Sequence, residues 1–345
     1  MKNTWKKLLA LSLAVLMVLG TLTACGKTEV KEDDTTLTVT ESPEEAKVLK
    51  VLTLGHSLAV DSGHLLNLVC ATEGVGDYEE IIIGTLYHSG CTMKEHVEYM
   101  QNESQEYSLY VSSSKTPDEP PKIMNHIDML MALEYDYWDI VVMQDGVFEI
   151  ARSASYTMGH SKTLQEYVNK KKLNTHVRFA WHMTWVAPTD NALRDTFPHE
   201  PNSYYSNYEA FNNDRTTVYN AVLKCVSDYV VTDETFEFII PSATAFENAL
   251  SSYLEEKDLH RDYVHATDLG RVITSYTWYC KLMGIDKLEE IKLTAIPKVF
   301  LNSTTGVEEL VLTDTERAVI LEAVNNALAN PMQMTQSQYT QAPAQ

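Results

Sequence analysis

Asp262-Tyr263-Val264-His265 puts a carboxylate three residues ahead of an imidazole, within one short turn. Such a carboxylate can hold one ring nitrogen, fix the tautomer and steady the imidazolium while the other nitrogen takes a proton from a hydroxyl. A hydroxyl suited to that base stands in Gly55-His56-Ser57-Leu58, directly after the apolar run Val48 to Leu54. A serine between a strand and a helix exposes its Oγ, with helix amides beside it. Two further segments offer donors to a developing negative charge. In Ser89-Gly90-Cys91 a glycine lets its backbone amide approach a ligand, and after Val141-Val142-Met143 the side chain of Gln144 offers an amide. The chemistry these residues could do is serine attack on an acyl carbon, with Ser57, Asp262 and His265 catalytic and the Ser57 amide, Gly90 and Gln144 around the oxyanion. Each piece also has a plain structural reading: a turn, a strand break, a loop start, a capping pair. The G-x-S-x-G elbow is not met, because Ala59 stands at its second glycine.

Other side chains carry weaker signals. His56, His64, His88 and His96 cluster early but lack the closed ligand set of a zinc site, so no metal is expected. Trp181 and Trp185 either floor a sugar-binding cleft by stacking or fill the core, and the 19 tyrosines lean toward a carbohydrate surface. His56 and Trp185 are the candidate substrate contacts. There is no C-x-x-C, H-E-x-x-H, G-x-G-x-x-G or P-loop run, and no cofactor is required. The net charge of -21 repels phosphate backbones and argues against nucleic-acid binding.

The elements that must position these residues alternate. Apolar runs at Val48 to Leu54, Glu80 to Tyr87, Trp138 to Gln144, Val177 to Trp185 and Phe236 to Ile240 predict five strands, with an extra strand at Tyr107 to Val111 in an insertion. Helical spacing from Leu65 to Ala71, Met93 to Met100, Ile127 to Leu133, Leu164 to Lys172, Tyr208 to Tyr229, Thr267 to Met283 and Asp314 to Ala329 fills the intervals. The alternation predicts a three-layer α/β/α fold with a five-stranded, mostly parallel sheet. Sites in such folds lie beyond the carboxyl ends of the strands, where Ser57, Gly90 and Gln144 stand.

The ends of the chain read differently. Lys2, Lys6 and Lys7 precede an apolar run closing on Leu22-Thr23-Ala24-Cys25, so residues 1–25 have the layout of a bacterial lipoprotein signal with Cys25 lipidated. Residues 26–47 are a polar tether, 48–330 the folded domain and 331–345 a polar tail. The expected location is the cell surface, held to the membrane by lipid only. Cys70, Cys91, Cys225 and Cys280 are either two bridges or buried free thiols.

Taken in order, the motifs resemble the SGNH, or GDSL-like, hydrolases, in which a serine follows strand one, a glycine strand two, an amide strand three, and Asp-x-x-His precedes the last helix. The closest likeness is to a bacterial branch catalogued as a domain of unknown function. The matching pieces are Gly55-His56-Ser57, Ser89-Gly90-Cys91-Thr92-Met93 with His96, Trp138 to Gln144, Trp181-His182-Met183-Thr184-Trp185 and Asp262 to His265. The resemblance implies a flavodoxin-like sheet and a serine esterase, with an O-acetyl group on a glycan as the expected substrate. His56 and Gln144 depart from the family's Asp or Asn and Asn, and Ser89 from its glycine. Two alternatives therefore stand beside the esterase: a catalytically degenerate glycan-binding lipoprotein and a solute-binding lipoprotein.

Overall fold

The structure, a computed structural model, describes residues 47–194, 209–301 and 308–342. The expected signal, Cys25 and all of the tether except Lys47 lie outside the described residues. The apolar runs do become strands. β1 (Val48–Gly55), β2 (Glu80–Tyr87), β5 (Ile140–Met143), β6 (Arg178–His182) and β7 (Phe236–Ile240) pair in parallel in the order β2-β1-β5-β6-β7. This is the flavodoxin-like order, with its switch point beside β1.

The sheet has seven strands where five were expected. β3 (Tyr107–Ser113) and β4 (Lys122–Ile127) add an antiparallel pair outside β2. β4 carries no continuous apolar run because it is an edge strand, mostly exposed, and directly follows Pro120-Pro121.

Two helical layers cover the sheet. One holds α1 (Ser57–His64), α2 (Leu66–Glu73), α8 (Ser242–Leu250), α10 (Asp268–Met283) and α11 (Asp314–Ala329). The other holds α3 (Met93–Gln101), α4 (Met129–Glu134), α5 (Val147–Lys171) and α7 (Arg215–Cys225). Short helices α6 (Asn191–Arg194) and α9 (Glu256–Leu259), a π-helical turn at Val226–Val230 that extends α7, a 3-10 turn at Lys298–Phe300, and a two-stranded sheet of β8 (Ala295–Pro297) with β9 (Glu309–Val311) are also present. None of the described helices is long and apolar enough to cross a membrane. Cys70, Cys91, Cys225 and Cys280 are free and buried.

The residues after Asn330 run back over the domain. Thr244 Oγ1 donates to the Pro331 carbonyl (2.6 Å), the Thr335 amide to Asn248 Oδ1 (2.7 Å) and the Tyr253 amide to the Tyr339 carbonyl (2.8 Å). Residues 331–342 are thus held against α8 and the turn that follows it.

Candidate active site

Parallel register decides what meets at the carboxyl edge. Gly55 pairs with Tyr87, and Leu54 with Met143, so the loops carrying Ser57, Gly90 and Gln144 leave three adjacent strands side by side.

Ser57 is the first residue of α1. His56 caps the helix: its Nδ1 accepts from the Leu58 amide at 3.3 Å, and its carbonyl accepts from Ala59 at 2.9 Å and Val60 at 3.4 Å. Among the described residues, the Ser57 amide is the first-turn donor left without a partner. His56 is buried, and burial, with the nearby His265 adding to the push, lowers its pKa to about 4. With Nδ1 accepting from Leu58, the ring proton sits on Nε2, and a hydrogen bond between the ring and the Asp145 backbone partly offsets the lowering.

Asp262 and His265 form the expected pair. The carboxylate accepts from His265 Nδ1 at 2.9 and 3.0 Å, and from the Val264 and His265 amides at 3.0 and 2.8 Å. Burial alone would raise the Asp262 pKa, but these hydrogen bonds prevail and hold it at about 2. With Nδ1 occupied, His265 Nε2 is the nitrogen left to exchange a proton. Ser57 Oγ makes no hydrogen bond to it here; such bonds are commonly long until substrate binds.

The serine helix and the histidine turn are tied by Asp61, which sequence reasoning missed. Asp61, one turn after Ser57, is buried and accepts from the Ala266 amide at 3.0 Å, Arg261 Nη1 at 3.0 Å, and Arg271 Nε and Nη2 at 2.9 and 2.6 Å. The residue bonded through its amide is the one directly after His265. Arg261 Nη1 also closes onto the Ala266 carbonyl at 2.5 Å. Nothing local in the sequence marks Asp61, because its partners lie about 200 residues away.

Gly90 sits in an exposed turn with φ of +64°, the left-handed conformation that glycine takes without strain. Its loop is anchored by the Met93 amide to buried Asp145 Oδ1 (3.2 Å) and by a Thr92–Glu95 capping box on α3. Gln144 is fully buried. Its Oε1 lies 2.7 Å from His182 Nδ1, and because a carbonyl oxygen only accepts, that nitrogen carries the proton. His182 Nε2 then accepts from Ser242 Oγ at 3.0 Å. The Gln144 amide nitrogen is left buried and unpaired, about 3.0 Å from where a Cβ on Gly55 would stand. His182 and Ser242 were not singled out individually; only the Trp181 to Trp185 segment drew attention to the former. His96, expected beside the Gly90 loop, is buried with Nδ1 2.9 Å from Tyr107 Oη.

Trp185 corrects the expectation of a substrate contact. It is wholly buried, stacks on Phe246 at 5.0 Å and donates to the Val264 carbonyl at 2.8 Å. An apolar indole body packs away from water once its N–H finds an acceptor. Here it supports the Asp262–His265 turn from beneath. Trp181 is equally buried. Among the described residues, no three His, Cys, Asp or Glu group as metal ligands.

No curated protein matches the sequence. A crystal structure of a DUF4886 family protein from Bacteroides uniformis is 19% identical, with a TM-score of 0.65, covering 86% of this chain and 100% of that one. This likeness speaks for the fold. Looser likenesses, on which nothing rests, are to a proposed SGNH hydrolase from Slackia heliotrinireducens (15% identity, TM-score 0.42, 68% of this chain and 98% of that one) and a gut microbial diltiazem-metabolizing enzyme (12%, 0.34, 70% and 48%). Residues 50–293 match the family model described as Domain of unknown function (DUF4886), and that span, which holds Ser57, Gly90, Gln144, Asp262 and His265, places the chain in that family.

Proposed function

We propose that the protein is a serine esterase that hydrolyses acyl esters. The observation that carries this reading is the Asp262-held His265, with Nε2 free, fastened through Ala266 and Asp61 to the helix that begins at Ser57. Ser57 Oγ attacks the ester carbonyl as its proton passes to His265 Nε2. A bond forms from Oγ to the acyl carbon, and the carbonyl electron pair moves to oxygen. The free Ser57 amide, the Gly90 amide and the Gln144 amide stabilise that oxyanion. The tetrahedral species collapses, the bond to the alcohol oxygen breaks, and His265 gives its proton to the leaving alcohol. Water then repeats the sequence against the acyl-enzyme and returns the serine. The resemblance of the motifs to SGNH hydrolases suggests an O-acetyl group on a glycan as one acyl ester that this chemistry would accept.

Purified protein is expected to hydrolyse 4-nitrophenyl acetate, and Ser57→Ala and His265→Ala are each expected to remove nearly all of it, since residues acting as a unit are not additive. Asp262→Asn is expected to lower kcat sharply through the wrong tautomer. Turnover that survives Ser57→Ala refutes the nucleophile.

A second reading is a non-catalytic binding protein. It draws on the missing Ser57–His265 hydrogen bond and the full burial of Gln144. Failure of every acyl ester tried would favour it.

The same proposal places the protein at the cell surface on a lipid-modified Cys25. Cys25→Ser is expected to release it or leave an unprocessed precursor, and an unchanged membrane fraction of unchanged mass would sink this.

A further inference from the structure

Beside the serine helix lies a cleft of about 190 Å³ between α1, the face of β2 and β3, and the 298–300 segment. Val60 and His64 line it from α1, Ile83 and Tyr110 from the sheet, and Pro121 and Phe300 from the surrounding loops. His64 fastens one wall, its Nε2 2.7 Å from the Phe300 carbonyl, and Asn67 and Ser112, which also line the cleft, are hydrogen-bonded at 2.6 Å.

Helix geometry relates this cleft to Ser57. At 3.6 residues per turn, Val60 lies about 60° to one side of Ser57 and Asp61 about 40° to the other, both within ~6 Å along the axis. The Asp61 side leads to Ala266 and His265, and the Val60 side is the cleft. On the sheet, Ile83 and Thr85 line the cleft and Tyr87, next on the same face, ends β2 at the carboxyl edge. Tyr87 packs edge-on to Tyr110 at 5.5 Å, so an aromatic rim joins cleft and edge.

We propose that this cleft binds an apolar acyl arm, so that the preferred substrates are esters of medium-chain acids rather than acetates. The inference rests on the esterase reading. His265 must protonate the leaving alcohol, which therefore departs on the Asp61 side. The acyl arm leaves the carbonyl carbon on the opposite flank, where Val60 opens into the cleft. A single methyl leaves a space of this size almost empty, whereas each buried methylene improves binding by roughly threefold to fourfold.

Two ester series test it: 4-nitrophenyl esters from acetate to hexanoate, which lengthen the acyl arm, and acetates from methyl to hexyl, which lengthen the alcohol. The expected result is a rise in kcat/KM of roughly 10²-fold from acetate to hexanoate in the first series. The second should stay flat, and Val60→Trp should cut the hexanoate-to-acetate ratio at least tenfold. A flat or falling acyl series overturns the proposal, as does a preference confined to the alcohol series. Calorimetric titration of Ser57→Ala with sodium hexanoate and sodium acetate separates this proposal from the esterase reading. If no ester is turned over but hexanoate binds and Val60→Trp removes that binding, the esterase reading fails and the cleft assignment stands. If hexanoate does not bind, the cleft assignment fails whatever acetate turnover shows.

Discussion

Gln144 illustrates how much of a side chain's role depends on what stands behind it. Its oxygen is occupied by His182 and its nitrogen is buried with nothing to bond, an arrangement that costs about 1–3 kcal/mol unless an acceptor arrives. Gln144→Ala is expected to lower kcat by about 10²–10³ with KM little changed, as measured on 4-nitrophenyl acetate. An equal rise in KM with kcat intact would make it a binding contact instead. Asp262 and His265 were legible because their contact spans three residues, which a turn enforces locally. His182 was not, because its partners Gln144 and Ser242 come from two other strand ends. Trp185 was misjudged because an indole's type says that it will stack, while only the fold says on what.

At the scale of elements, the turn from β1 into α1 is a tight joint. A Cβ at Gly55 would stand 2.7 Å from Ala59 Cβ and 3.0 Å from Gln144 Nε2. Gly55→Ala is therefore expected to lower stability by about 1–3 kcal/mol and to push Ser57 out of line, read as a lower denaturant midpoint and a lower kcat. Asp61 joins α1 to α10 through Arg271, both side chains being buried. Asp61→Asn leaves the buried Arg271 guanidinium with only the longer Asp268 contact at 3.3 Å as counter-charge and is expected to cost about 3 kcal/mol, measured by urea unfolding; Asp61→Glu should recover part of it. The five parallel strands were readable because strands buried on both faces leave unbroken apolar runs. The β3–β4 hairpin was only half readable, since an exposed edge strand needs no such run. The helix from Leu65 became α2, but α1 ahead of it and the first turns of α5, from Val147, escaped for a related reason. Both begin within a few residues of a strand end, with no long linker to mark them.

Over the whole molecule, four buried histidines set an acid limit. Burial lowers His56 and His260 to about 4 and His96 and His182 to about 3, with His56 adding repulsion to the last two. Each is depressed below the ordinary value near 6.5, so the unfolded chain binds more protons as pH falls below that value. The stability these groups contribute is complete above pH 6.5 and is lost as pH drops toward 4 and then 3, at about 1.4 kcal/mol per pH unit for each. The urea midpoint is expected to fall steeply between pH 6.5 and 4.5, and a flat midpoint across that window would contradict the burial described. Asp262 adds its own loss only lower, between its unfolded value and about 2.

The Asp61 clamp also has a consequence in time. Its acceptor atoms wait on donors 200, 205 and 210 residues further along the chain. During synthesis at about 5–20 residues per second, Arg271 follows Asp61 by roughly 10–40 s. Through that interval the serine helix holds a carboxylate whose partners do not yet exist, and the histidine has not been made. Hydrolytic competence can therefore arise only after most of the sheet has formed. Closing so long a loop makes this clamp a late event, and refolding followed by ester turnover should lag behind refolding followed by strand signal.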